Sequence, residues 1–262
     1  MCRLLEEPLQ TDLRYEVCLK IPVNLLTKRC GISQADFMKK AAPIALIYTA
    51  IILTLMEYFF IPPRAEVWLS GNRFTNWPVP SMDAGIVWAG SCLIGFFGIP
   101  AILVYFFSGS NFRDHGLNFA GFKEHFKTYV GLYLLMVPLI YLASRQPEFR
   151  NTYPFIPEAR NSLSAFLLWE LAYVLQFFAL EFFFRGYVLF TLERHMEKWT
   201  AICVMLVPYV MIHFHKPVFE CLGATIAGLV LGHLALKYRS WLGGAILHAL
   251  VGVTLDSLAT WA

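Results

Sequence analysis

The chain has 262 residues, of which 58% are hydrophobic and only 15% are Asp, Glu, Lys or Arg, with a formal net charge of +3. A soluble domain carries about 25% charged residues, so this composition, with a mean hydropathy of +0.56, excludes a freely soluble fold and indicates a membrane protein. The small charge comes without a basic block and gives no footing for a nucleic-acid partner.

In chain order, residues 1–40 read as a polar, partly helical cytosolic segment with no signal-peptide pattern. Seven apolar spans are expected after it, each near the ~20 residues that cross about 30 Å of hydrocarbon. The first covers 41–61 and stops at Pro62-Pro63. A loop follows over 64–83, with its tryptophans at the interface. The second covers 84–107 with a kink at Pro100. Residues 108–128 read as an amphipathic surface segment. The third span covers 129–144, a Pro-containing loop 145–161, and the fourth span 162–192. The fifth covers 199–213, and "HFHKP" breaks the helix there because its Pro217 cannot continue it. The sixth covers 218–236 and the seventh 241–261. The expected fold is an all-α polytopic transmembrane bundle. Its expected parts are the cytosolic segment 1–40, a scaffold half 41–160 and a catalytic half 161–262. With the N-terminus inside, fifteen Lys and Arg (Arg185 included) fall on the inner side and six on the outer, as the positive-inside rule requires.

The six cysteines, Cys2, Cys18, Cys30, Cys92, Cys203 and Cys221, are scattered without a C-x-x-C pair. A zinc knuckle or redox motif is not indicated. The chemistry-bearing residues gather in the second half: Glu170, Glu181, Arg185, His213, His215, Lys216, Glu220, His233, His248 and Asp256. A helix rises 1.5 Å per residue, so Glu181 lies about 18 Å, His213 about 21 Å and His248 about 11 Å from the inner boundary. Asp256 and Glu220 lie about 23 and 26 Å in. Polar groups at such depth face protein or water, pair with one another, and mark function. Glu181 and Arg185 stand one turn apart, close enough to pair. The bland reading is an ion pair that pins the fourth span. The functional one makes Glu181 a general base and Arg185 its partner or an oxyanion stabiliser. Glu220 either pairs with Lys216 or supports His213. Asp256, about 80° around the helix from His248, is a supporting residue. Glu170, His233, His215 and Lys216 are read as structural or interfacial. The paired Gly243-Gly244 before His248 allows close helix approach.

Four of these residues sit in three motifs: "LEFFFRG" (Leu180 to Gly186), "YVMIH" (Tyr209 to His213) and "HALVG" (His248 to Gly252). In order and spacing they resemble the CPBP intramembrane proteases, the CAAX- and bacteriocin-processing family, whose motifs are E-E-x-x-x-R, F-x-x-x-H and H-x-x-x-N/D. The resemblance covers about 160–262. Leu180 replaces the first Glu, Tyr209 the Phe, and Gly252 the Asn or Asp, with Asp256 one turn later. The resemblance implies a glutamic-type endopeptidase acting on a membrane-associated protein or peptide within the bilayer. Glu181 and His213 would activate water, and His248 with Arg185 would stabilise the oxyanion. It implies no cofactor, and a multi-pass protein of a prokaryotic cytoplasmic membrane. Two alternatives stand beside it: a zinc-dependent hydrolase on the same fold, and a non-catalytic transporter or partner protein.

Overall fold

The computed structural model describes residues 34–71, 78–106, 110–119 and 122–261. Most of the expected 1–40 segment lies outside the described residues. The described residues are helical throughout, with no strand among them. In order they form α1 (Gln34–Leu55, extended by a π-helical Met56–Phe60), α2 (Pro62–Leu69), α3 (Met82–Phe106), α4 (Phe122–Ser144) and α5 (Pro147–Thr152). Then come α6 (Leu163–Glu193), α7 (Lys198–Met211), α8 (Val218–Tyr238) and α9 (Leu242–Trp261).

Among the described residues six helices are long and apolar enough to cross a membrane: α1, α3, α4, α6, α8 and α9. Their outer faces carry exposed large apolar side chains, such as Ile47 and Ile51 on α1, Leu134 and Leu135 on α4, and Leu167 and Leu171 on α6. In water such faces would be costly; in hydrocarbon they are the solvent-facing side. The protein is an all-α polytopic bundle.

The expected fifth span differs. Its helix, α7, has 14 residues and reaches about 21 Å, short of the hydrocarbon thickness. Pro208 lies inside it, and the chain turns through Ile212–Lys216 before Pro217 starts α8. Two other boundaries move. Pro62-Pro63 does not simply end a span. Both residues sit in the first turn of α2, where a missing N–H costs nothing. The expected surface segment 108–128 is not one helix either. Phe112–His115 forms a 3-10 turn, and Phe122 already begins α4.

The core is organised around α6. From Ala179 to Leu192 every residue is buried, so "LEFFFRGYVLF" is apolar all round because protein surrounds it on every side. Ser162 starts α6 by accepting a hydrogen bond from the Ala165 N–H, an N-cap. Phe182–Leu189 then widens into a π-helical stretch, a form found mostly at functional sites. Phe96, from the π-helical Leu93–Gly98 of α3, stacks on Phe183 at 5.0 Å. Tyr48 of α1 donates to the Gly95 carbonyl at 2.6 Å and packs edge-on against Phe183 and Tyr187. The first two spans, α1 and α3, therefore grip the widened part of α6, just beyond Glu181.

Candidate active site

Glu181 ends the regular α-helical part of α6, and Arg185 follows within the π-helical stretch. Both side chains are fully buried. Arg185 Nη1 donates to Glu181 Oε1 at 3.0 Å. From α9, His248 Nδ1 donates to the same oxygen at 2.8 Å. One carboxylate oxygen thus receives two N–H groups from two helices, and Glu181 Oε2 has no hydrogen-bond partner. Arg185 also lies over the Tyr209 ring of α7, 3.9 Å from its centroid, a cation–π contact. Its Nε and Nη2 have no hydrogen-bond partner.

Small residues allow this convergence. A Cβ at Gly243 would fall 2.1 Å from the Tyr129 ring, so α4 and α9 can meet only at glycine. A Cβ at Gly244 would stand 3.5 Å from Glu181 Oε2. The paired glycines thus bring α9 close to α4 on one side and to the carboxylate on the other.

His213 sits in the turn after α7 and is 5% exposed. Its Nδ1 donates to the Tyr209 carbonyl at 2.9 Å; a carbonyl only accepts, so Nδ1 carries the proton and Nε2 the lone pair. The same logic applies to His248, whose Nδ1 donates to the carboxylate. The two imidazoles are nearly parallel, 12° apart in plane, with centroids 6.5 Å apart. Phe177 packs against His248 at 4.5 Å, and Tyr209 against His213 at 5.0 Å. The structure thus brings Glu181, Arg185, His248 and His213 together around Tyr209.

It does not bring the two supporting residues in. Glu220 forms a separate cluster with Lys216 (2.7 Å) and the Tyr153 hydroxyl (2.7 and 2.6 Å). Of its two expected roles, it takes the pairing with Lys216. Asp256 is fully buried and accepts from the Trp169 indole N–H at 2.7 Å, two turns from His248. Glu170, expected near the membrane edge, is buried beside Asp256. His233 stacks on Trp199 at 5.4 Å, and His215 pairs with Glu57 in an exposed contact. Tyr209 and Phe177 were missed as site residues. Tyr209 had a signal, since it fills the aromatic position of the second motif; Phe177 had none, because its role depends on how α9 packs.

Among the described residues no group of three or more His, Cys, Asp or Glu is arranged to hold a metal ion, and the carboxylate and imidazole nearest each other are bonded together.

An all-α membrane bundle with buried Glu, Arg and two His converging from three helices is the class that fold and site define. Residues 162–254 match the family described as type II CAAX prenyl endopeptidase Rce1-like, the CPBP/CAAX protease family that the three motifs resemble. That match supports a CAAX-type intramembrane protease in general, acting on a membrane-associated peptide or protein. No curated protein and no solved structure matches the chain.

Proposed function

We propose that the protein is an intramembrane endopeptidase in which residues 161–262 are the catalytic half and 41–160 the scaffold, with the N-terminus inside. The observation that carries this reading is Glu181 Oε1 bonded at once to His248 and Arg185 in a fully buried setting. A carboxylate that fixes an imidazole by its Nδ1–H leaves Nε2 as the base and stabilises the imidazolium that forms. The geometry favours His248, rather than Glu181 itself, as the group that meets water.

His213 offers a second Nε2. The two rings are nearly parallel with centroids 6.5 Å apart, and in this reading one water donates an O–H to each Nε2. His248 takes a proton from this water as the oxygen attacks the peptide carbonyl. The unpartnered N–H groups of Arg185 are the donors for the developing oxyanion. His248 then gives its proton to the leaving amine, and the Glu181–Arg185 pair returns unchanged. Relative to the roles expected from the family motifs, the base is His248 held by Glu181, and His213 positions water. An apolar groove between α4 and α9, lined by Phe126, Tyr133, Ile246 and Leu250, runs beside the helix bearing His248. It suits the lipid-like part of a prenylated substrate.

The test is cleavage of prenylated CAAX peptides and leader peptides by the full chain in proteoliposomes. Glu181→Gln, His248→Asn and His213→Ala are each expected to lower cleavage by roughly a hundredfold or more while accumulating in membranes. Normal cleavage by all three overturns the reading. A non-catalytic partner protein is the second reading, favoured by Leu180 lying in the hydrophobic core where the family motif has glutamate. It predicts a stable wild-type protein that cleaves none of these peptides.

A further inference from the structure

Away from the Glu181 site, α6 and α9 meet at a second polar point. Glu170 is 6% exposed, and neither of its carboxyl oxygens has a hydrogen-bond partner. Asp256 is fully buried. Trp169 holds its Oδ2, while Oδ1 has no partner. The two carboxyls lie within hydrogen-bonding reach of each other across the helix pair, a contact that needs a proton between them because neither ionised group can donate. Three carboxyl oxygens therefore lie without a donor in an apolar interior, where an unsatisfied polar group is costly and a charged one more so.

The neighbours do not supply the missing charge. Among the described residues no Lys or Arg bonds to either carboxyl. Lys216 acts on Asp256 from a distance and is bonded to Glu220. The other groups facing the pair are Tyr173 on α6, Tyr153 from the 145–161 segment and Glu220 on α8. Two of these are neutral phenols and the third is another acid. Water would satisfy lone pairs but add no positive charge. A positive ligand between the carboxyls answers both needs.

We propose that Glu170 and Asp256 form a binding site for one small monovalent cation, a proton or an alkali-metal ion. No third acidic, His or Cys ligand joins the pair among the described residues, so any further ligands to a bound metal ion would be neutral oxygens. The site is distinct from the candidate active site. Glu170 is eleven residues from Glu181, and Asp256 eight from His248, separations of about 16 and 12 Å along the helices. Occupancy holds α9 against α6 at a second level, on the same two helices whose contact makes the Glu181–His248 bond.

The test needs no substrate. Thermal unfolding of the purified full-length protein is followed with sodium, potassium or choline chloride at constant ionic strength, over a series of pH values. Glu170→Gln, Asp256→Asn and the double variant are compared; Asn at 256 keeps an acceptor for Trp169. A midpoint in wild type that rises with sodium or potassium at fixed pH, and no longer does so in the variants, identifies an alkali-ion site. A midpoint that shifts with pH alone, with that shift lost in the variants, identifies a proton site. If the variants do not accumulate, infrared difference spectra of the wild type on exchanging cation or pH read the carboxyl bands directly. No cation- or pH-linked carboxyl change in wild type, or the same dependence in wild type and double variant, overturns the proposal.

Discussion

The ring of Phe177 fills the space beside Gly252: a Cβ built at residue 252 would lie 2.5 Å from it. The same ring lies 4.5 Å from the His248 imidazole. The third motif of the resembled family has Asn or Asp at this position, and here the room for that side chain is occupied by an aromatic wall. Gly252→Asn alone is therefore expected to lower stability by about 1–3 kcal/mol, the usual cost of overpacking. Phe177→Ala alone leaves a cavity worth about 3–5 kcal/mol. Combined, they share one space, so the double variant should be more stable than the sum of the two changes. Thermal unfolding of the four proteins checks it; strict additivity would contradict the packing described.

Removing Arg185 leaves Glu181 as a buried carboxylate with one partner fewer. Arg185→Ala should cost about 3–5 kcal/mol, the price of breaking a buried pair, and abolish cleavage. Arg185→Lys should not rescue it, since an ammonium cannot both lie flat on Tyr209 and reach the carboxylate. Stability and peptide cleavage measured on both variants test this.

Glu181 and His248 are expected to act as one unit. Glu181→Gln and His248→Asn should each reduce cleavage by roughly 10²–10⁴. The double variant should be hardly worse than either alone, because groups that work through each other are not additive. Independent, multiplying losses would separate their roles.

Outside the spanning helices, His115 links the 110–119 segment to α6. Its Nδ1 donates to the Gly186 carbonyl at 3.0 Å, and its Nε2 bonds the Ser110 hydroxyl at 2.9 Å. Burial, with Arg194 nearby, pushes its pKa down to about 4. The unfolded chain, with an ordinary His pKa near 6.5, therefore binds the proton first. Stability from this group is full above about pH 6.5 and is lost as pH falls towards 4, by up to about 3 kcal/mol. His115→Gln should flatten the stability–pH profile across that window; an unchanged slope would rule the linkage out.

Much of the site was legible because it was local or depended on depth. Glu181 and Arg185 could be paired from a spacing of four, and Gly243-Gly244 marked a close helix approach. Counting residues from span ends put Glu181 and His213 at a similar depth and His248 within a few turns of them. The choice of partner was not legible. Whether Glu181 meets His213 or His248 depends on how α6, α7 and α9 are rotated about their axes, and length and hydropathy do not encode that. Glu170 shows the same gap. Its position along the span suggested an edge residue, and only the packing of α9 reveals Asp256 beside it. The shortness of α7 was hidden because "WTAICVMLVPYVMIH" is apolar to the end, while the helix itself stops at Met211.

The π-helical stretch of α6 has a consequence at the level of the gene. Wide turns hold more residues than α turns, so losing one codon between 182 and 189 need not break the span; it can wind the stretch back towards α geometry. An α stretch one residue shorter sweeps nearly the same angle as the wider stretch it replaces, so the helix on either side would keep its facing. Glu181 would still look towards α9, while the turn that carries Arg185 tightened and the outside of the helix stayed as greasy as before. Such a product would be inserted and tolerated as the same membrane protein, and the wide stretch is the place where this span can lose a residue without turning its ends.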